Sequence, residues 1–192
     1  YCYLNPRLGA AHAVAEAARN VACTGARPLA VTNCQNFGNP YKPEVFWQFR
    51  EAIAGMSEAC RALGTPVTGG NVSLSNEDGE TAIRPTPVIG MVGVIDDVEL
   101  RVPMGFQAEG DIIVLLGSTR DEIGASEYLA TVYGVEAGQV PALDLEAEGR
   151  LCRLLVSAAS KGLPSSAHDM SEGGLAVAVA ECAIAGRLGA TL

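Results

Sequence analysis

Four side-chain amides crowd one stretch of the chain. Asn33, Gln35, Asn36 and Asn39 fall within Thr32-Asn33-Cys34-Gln35-Asn36-Phe37-Gly38-Asn39-Pro40. Amides both donate and accept, so this cluster suits a neutral hydrogen-bonding site or the outer shell of a metal. A polar loop whose asparagines satisfy its own turns is the plainer reading. A second group is Gly69-Gly70-Asn71-Val72-Ser73. Paired glycines let a ligand approach the backbone, and exposed N–H groups can cradle an anion. Asn71 offers a carbonyl oxygen suited to Mg²⁺, and Ser73 a hydroxyl suited to a phosphate. The plainer reading here is a glycine-rich turn between strands. The third group is His168-Asp169-Met170-Ser171-Glu172-Gly173-Gly174. Carboxylates just before a helix suit a divalent cation, but a helix cap by Asp169 or Ser171 is more economical. His12 stands four residues before Glu16, a spacing that reads as a pair on a solvated helix face. Neither histidine has a serine or cysteine beside it in a nucleophile motif, so nucleophilic catalysis is not expected.

Composition narrows the classes. Lys42 and Lys161 are the only lysines, followed by Pro43 and Gly162. Neither completes the Gly-Lys-Ser/Thr end of a phosphate-binding P-loop, which excludes a Walker-type site within the chain. A net charge of −9 over 192 residues argues against nucleic acid as a partner. A hydrophobic content of 48% with only 18% charged residues argues against disorder. No apolar run reaches membrane-spanning length, and no secretory signal is visible. The six cysteines form no C-x-x-C pair and no histidine joins them at metal spacing. They read as small buried hydrophobes in a reducing compartment, which predicts a cytoplasmic protein. A first residue of Tyr1 and an ending in Gly189–Leu192 suggest a piece of a longer chain.

The elements that must position these groups alternate between helix and strand. An alanine-rich helix is expected over 9–23, then a short strand over 28–31 leading into the amide loop. The clearest helix is 43–63, with Phe46, Phe49, Ile53, Met56, Cys60 and Leu63 at helical spacing. A short strand over 65–67 opens into the glycine loop. Strands follow at 82–84 and 86–95, with a domain boundary between 96 and 110. Beyond it the pattern predicts a buried-type strand at 111–116 and helices at 121–132, 143–161 and from Gly174 to about Ala185. The class is α+β or α/β. The clustered strands near 80–95 argue against a purely parallel sheet.

Taken in order, Ala15–Asn33, Asn36-Phe37-Gly38-Asn39-Pro40, Gly69-Gly70-Asn71-Val72-Ser73, Pro85–Gly93 and His168–Leu175 closely resemble the phosphoribosylformylglycinamidine synthase family. More narrowly, they look like the second module of the synthetase subunit in its small, multi-subunit form. The resemblance covers essentially the whole chain. Its N-F-G-N-P and G-G-N-V-S elements are specific at this spacing, whereas Asp-x-Ser-Glu-Gly-Gly is shared more widely in the superfamily. It implies an aminoimidazole-ribonucleotide-synthetase-like module. Residues 1–105 would be an N-terminal α+β half with a mixed sheet that pairs with the other module. Residues 106–192 would be a truncated C-terminal α/β half.

The resemblance also implies ATP and Mg²⁺ as cofactors. It puts Asn33 and Gly70 at ATP-contacting positions, Asn71 at a Mg²⁺ ligand position and Ser73 at a substrate-contacting position. The family carries Asp where Asn33 stands, so the hydrogen-bonding oxygen is kept and the charge is lost. No catalytic residue is implied, because the family's histidine belongs to the first module and neither His12 nor His168 matches it. The implied partners are formylglycinamide ribonucleotide, the first synthetase module, and glutaminase and small bridging subunits that supply ammonia. The chain alone is expected to be inactive. Two alternatives stay open. One is another ATP-using member of the superfamily, such as aminoimidazole ribonucleotide synthetase or thiamine-phosphate kinase. Those usually carry more aspartates where this chain has Thr32-Asn33-Cys34. The other is a non-catalytic nucleotide-binding assembly domain.

Overall fold

The computed structural model describes residues 1–192. Helix α1 spans Pro6–Cys23, β1 Arg27–Asn36, α2 Pro43–Leu63, β2 Val67–Ser73, β3 Glu77–Asp78, β4 Thr81–Ala82 and β5 Thr86–Val94. A 3₁₀ turn at Val98–Leu100 precedes α3 (Glu127–Tyr133), α4 (Leu145–Ala159) and α5 (Gly174–Gly186). No helix is long and apolar enough to cross a membrane.

Local chemistry sets the helix ends. The Asn5 side chain accepts from the Leu8 N–H at 3.0 Å, and Pro6 occupies the first turn, where its missing N–H costs nothing. Helix α2 likewise starts on Pro43 and stops on Gly64 in the left-handed conformation (φ 69°). The two helices lie against each other on one face of a sheet ordered β2-β1-β5. Strand β1 is central, parallel to β2 and antiparallel to β5, so the expected mixed sheet is present. The core between the layers is built from Ala10, Val14, Val31, Phe37, Val45, Ala52 and Met56. Phe37 meets Phe49 edge-on at 5.2 Å.

The buried face of α2 keeps Met56, Cys60, Phe49 and Leu63 of the expected stripe but is rotated toward its small residues. Val45, Ala52, Gly55, Met56, Ala59 and Cys60 are buried, while Phe46 and Ile53 stand at the surface. Small residues win because α1 and α2 touch by backbone. A Cβ on Gly55 would lie 1.8 Å from the Arg7 carbonyl oxygen.

Two expected loops are strands. β1 continues through Asn36, taking in most of the amide segment, and β2 runs from Val67 through Ser73, taking in G-G-N-V-S. Pairing on both sides of β1 overrides the turn preference of Asn and Gly. The strand expected at 111–116 is absent. Ile112 is 88% exposed and Val114 67%, and nothing pairs with the segment. Alternating or apolar side chains alone do not make a strand without a neighbouring ladder. Residues 106–192 therefore contribute three helices and no strand, and α3 starts at Glu127 rather than 121. Helix α4 docks on α1 through Ala18, Ala22 and Cys152, flanked by an Arg19–Glu148 ion pair at 2.9 Å.

The backbone contact between α1 and α2 gives a sharp expectation. Gly55→Ala lowers the unfolding free energy by about 1–3 kcal/mol through overpacking. Gly69→Ala, where a Cβ meets nothing within 4 Å, changes it by less than about 0.5 kcal/mol. Urea unfolding of both variants checks this, and equal losses would contradict it.

Candidate functional site

Asn33 and Gly70 face each other across the parallel β1/β2 ladder. Gly70 has φ +154°, a conformation that side-chain-bearing residues rarely adopt. A Cβ there would lie 2.3 Å from the Asn33 carbonyl oxygen and 2.4 Å from its Oδ1. The Asn33 carboxamide thus occupies the space that only glycine leaves. Its Nδ2 donates to Met56 Sδ at 3.2 Å on the α2 side of the sheet. Gln35, two residues on and 1% exposed, donates Nε2 to the same sulfur at 3.8 Å, while its Oε1 has no partner.

Asn71 and Ser73 lie on the other face. Asn71 pairs with Cys34, and its Nδ2 donates to Cys34 Sγ at 3.8 Å. Ser73 donates to Asn76 Oδ1 at 3.1 Å, and Asn76 in turn donates to the Phe37 carbonyl at 3.0 Å. Alternation along a strand separates neighbours onto opposite faces. The structure therefore brings Asn33 to Gly70, and Asn71 to the side that carries Ser73, with the thickness of one sheet between the pairs. Both pairs meet at β2, an exposed strand bonded on one side only. Its outer edge keeps free backbone donors and acceptors that suit an anionic, hydrogen-bonding ligand.

Mg²⁺ fits less well. No group of three or more His, Cys, Asp or Glu side chains comes together to hold an ion. Asn71 offers one neutral oxygen where Mg²⁺ wants six oxygen ligands with at least a carboxylate or phosphate among them. These residues do not make a magnesium site by themselves.

The third polar group is structural here. Asp169 is buried, and the Asn20 amide of α1, assigned with its nitrogen toward the carboxylate, donates to Oδ1 at 2.7 Å and Oδ2 at 3.2 Å. His168 sits between Asp169 (3.3 Å) and Glu181 (3.0 Å). Neither Asp169 nor Ser171 caps α5, whose N-cap is Gly173 with no side-chain bond. Asp169 is committed to α1 instead. His12 is also not a solvated partner of Glu16. Its Nε2 lies 2.8 Å from the Pro141 carbonyl, and its ring packs against Tyr1.

The family description "AIR synthase related protein, N-terminal domain" matches residues 1–95, and its C-terminal counterpart matches residues 108–192. The chain belongs to the AIR synthase related family. It is 61% identical over 190 residues to phosphoribosylformylglycinamidine synthase subunit PurL of Moorella thermoacetica, covering 99% of this chain and 26% of that protein. PurL of Alkaliphilus metalliredigens is 55% identical over 190 residues, with the same coverage, 99% and 26%. The chain thus spans about a quarter of the length of the curated relatives it matches. Among solved structures, T. maritima PurL complexed with FGAR superposes with TM-score 0.75 at 23% identity, over 96% of this chain and 30% of that one, which shows the fold. T. maritima PurL complexed with AMPPCP matches at TM-score 0.55 and 25% identity, over 82% of this chain and 22% of that one.

The sequence marked Gln35 only as one of the clustered amides, and it did not mark Met56 as a site residue. Met56 sits on an apolar stripe and carries no signal beyond packing. Of the six thiols, Cys34 lies at the site, in contact with Asn71. Burial raises Cys60, Cys152 and Cys182, and pushes Cys23 up to about 12 with help from the Asp169 charge. Thiolate is the reactive form, so burial and the raised titration make these four slow to react at pH 8. Cys34, half-buried on the outer sheet face, is reachable. A thiol reagent at pH 8 is expected to label Cys34 ahead of those four, which react readily only in denaturant. Mass mapping of the labelled peptides checks the order, and Cys23 reacting as fast as Cys34 would contradict it.

Proposed function

We propose that this chain is the nucleotide-binding part of the second synthetase module in a phosphoribosylformylglycinamidine synthase. The module would comprise halves at 1–105 and 106–192. The full enzyme would convert formylglycinamide ribonucleotide, ATP and glutamine-derived ammonia to formylglycinamidine ribonucleotide, ADP and phosphate in purine biosynthesis, in the cytoplasm. The substrate amide oxygen attacks the γ-phosphorus and ADP leaves. Ammonia then adds to the activated carbon and phosphate departs with the former amide oxygen.

The observation that carries this reading is the Asn33–Gly70 cradle on an open strand edge. It lies in a chain 61% identical to a PurL subunit. In this reading Asn33 and Gly70 hold ATP, and Ser73 faces the ribonucleotide substrate. Asn71 would offer one oxygen to Mg²⁺, the rest of the ion's needs being met from outside the chain. Mg²⁺ would offset phosphate charge when bound. No general base is assigned here, and the catalytic histidine belongs to the first module. Assembly with that module is supported by the outer sheet face, where Val88, Val92 and Val94 stand 51%, 59% and 44% exposed. Such a face on a sheet covered on its other side by α1 and α2 calls for a partner. The glutaminase and small bridging subunits would deliver ammonia to the assembled synthetase.

Gly70→Val in the complete synthetase subunit is expected to weaken ATP binding by about tenfold or more, since the new side chain displaces the Asn33 amide and strains the strand. Gly69→Ala serves as the control. Nucleotide titration calorimetry and ammonia-dependent product formation measure the effect. Unchanged nucleotide affinity in Gly70→Val would overturn the assignment. The isolated chain is expected to form no product from ATP, formylglycinamide ribonucleotide and ammonia, and turnover by it alone would overturn the division of labour.

A further inference from the structure

A carboxamide is nearly symmetric in shape, so something must decide which way it points. At Asn33 the deciding neighbour is a sulfur. Met56, 2% exposed, approaches the amide from α2, and Asn33 Nδ2 donates to Sδ at 3.2 Å. A thioether accepts weakly and cannot donate. It therefore tolerates the amide nitrogen but offers nothing to the amide oxygen. With Nδ2 turned to α2, Oδ1 lies over Gly70, in the space a Cβ there would fill.

The surroundings give no substitute. Gln35 is the next inner-face polar residue on β1, and it competes for the same sulfur at 3.8 Å. Its own Oε1 is buried without a partner. Two amides thus share one acceptor in an otherwise apolar layer of Val31, Phe37, Val45 and Ala52.

We propose that Met56 is a positioning residue: its thioether fixes the sense of the Asn33 amide, so that Oδ1 faces Gly70 and the β2 edge as an acceptor for a nucleotide's hydrogen-bond donors, its ribose hydroxyls or base amino group. The inference rests on the nucleotide reading above. Leucine conserves volume at this position and removes only the acceptor. Both amides then lose a partner, so Met56→Leu lowers stability somewhat whether or not Asn33 matters for binding. Melting temperature alone cannot separate the two roles, but a double-mutant cycle does.

The test is calorimetric titration of ADP with Mg²⁺ into the complete synthetase subunit as wild type, Asn33→Ala, Met56→Leu and the double variant. Met56→Leu is expected to weaken ADP binding about three- to tenfold in the wild-type background, the range one hydrogen bond governs. It is expected to have no effect in the Asn33→Ala background. If Asn33→Ala weakens binding while Met56→Leu has no effect, or an equal effect in both backgrounds, the positioning role is overturned and the nucleotide reading stands. If Asn33→Ala leaves affinity unchanged, both fall.

Discussion

The pairing of β1 on both sides is the constraint from which the site follows. A central strand has no free backbone edge, so its polar residues can act only through side chains, and those must alternate between faces. Asn33 and Gln35 point to the helix layer, while Cys34 and Asn36 point away from it. β2 copies that alternation in register, matching Asn33 to Gly70, Cys34 to Asn71 and Asn36 to Ser73. On the helix face the copy breaks at Gly70. There the absence of a side chain makes room for the Asn33 amide between two strands that would otherwise close over it. The site is thus a gap in one pleat of a sheet, held open by a glycine.

That arrangement needs a stiff support, and the helix layer supplies it. α1 and α2 approach to backbone contact at Gly55 and pack alanines, Val14, Val45 and Met56 into the core they share with β1. Close packing of this kind leaves few alternative rotamers. The second half of the chain bears on the site through α1. Asp169 is tied to Asn20, and Arg19 to Glu148, so the acidic loop and α4 buttress the helix that covers the sheet.

Elements that satisfy their own backbone were legible in the sequence. α2 begins and ends at Pro43 and Leu63, as its proline and glycine punctuation predicts. β5, which depends on pairing with β1, is the exception: its long apolar run still falls within one residue of its expected span. What was not legible depends on a neighbour distant in the chain. N-C-Q-N and G-G-N-V-S carry turn residues and read as loops, yet become strands because β1 is paired twice. The run at 111–116 fails in the opposite sense, with strand-forming residues and no ladder to join. At the site, residue types pointed to Asn33, Gly70, Asn71 and Ser73, but not to their separation onto two faces. Nor did they mark Met56, whose sulfur matters through what lies opposite it.

Charge explains why such a site cannot be self-sufficient toward phosphate. Two bases that flank these strands are already neutralised. Lys42 lies 2.8 Å from Glu77, and Arg84 lies 2.6 Å from Glu136. The lysine clips the β3–β4 hairpin to the start of α2, donating also to the Glu80 carbonyl, so it is a fastener rather than a free counter-charge. Backbone N–H groups orient an anion but offset little of its charge, and the Asn33 amide, with Nδ2 held by Met56, presents only an acceptor. A polyphosphate on the β2 edge would sit on a chain of net charge −9 with no unpaired lysine or arginine drawn into the cradle by any hydrogen bond or ion pair. On the reading proposed above, the compensating positive charge would come from metal and from another polypeptide surface. The same sheet that forms the cradle exposes the apolar face on which such a surface can seat.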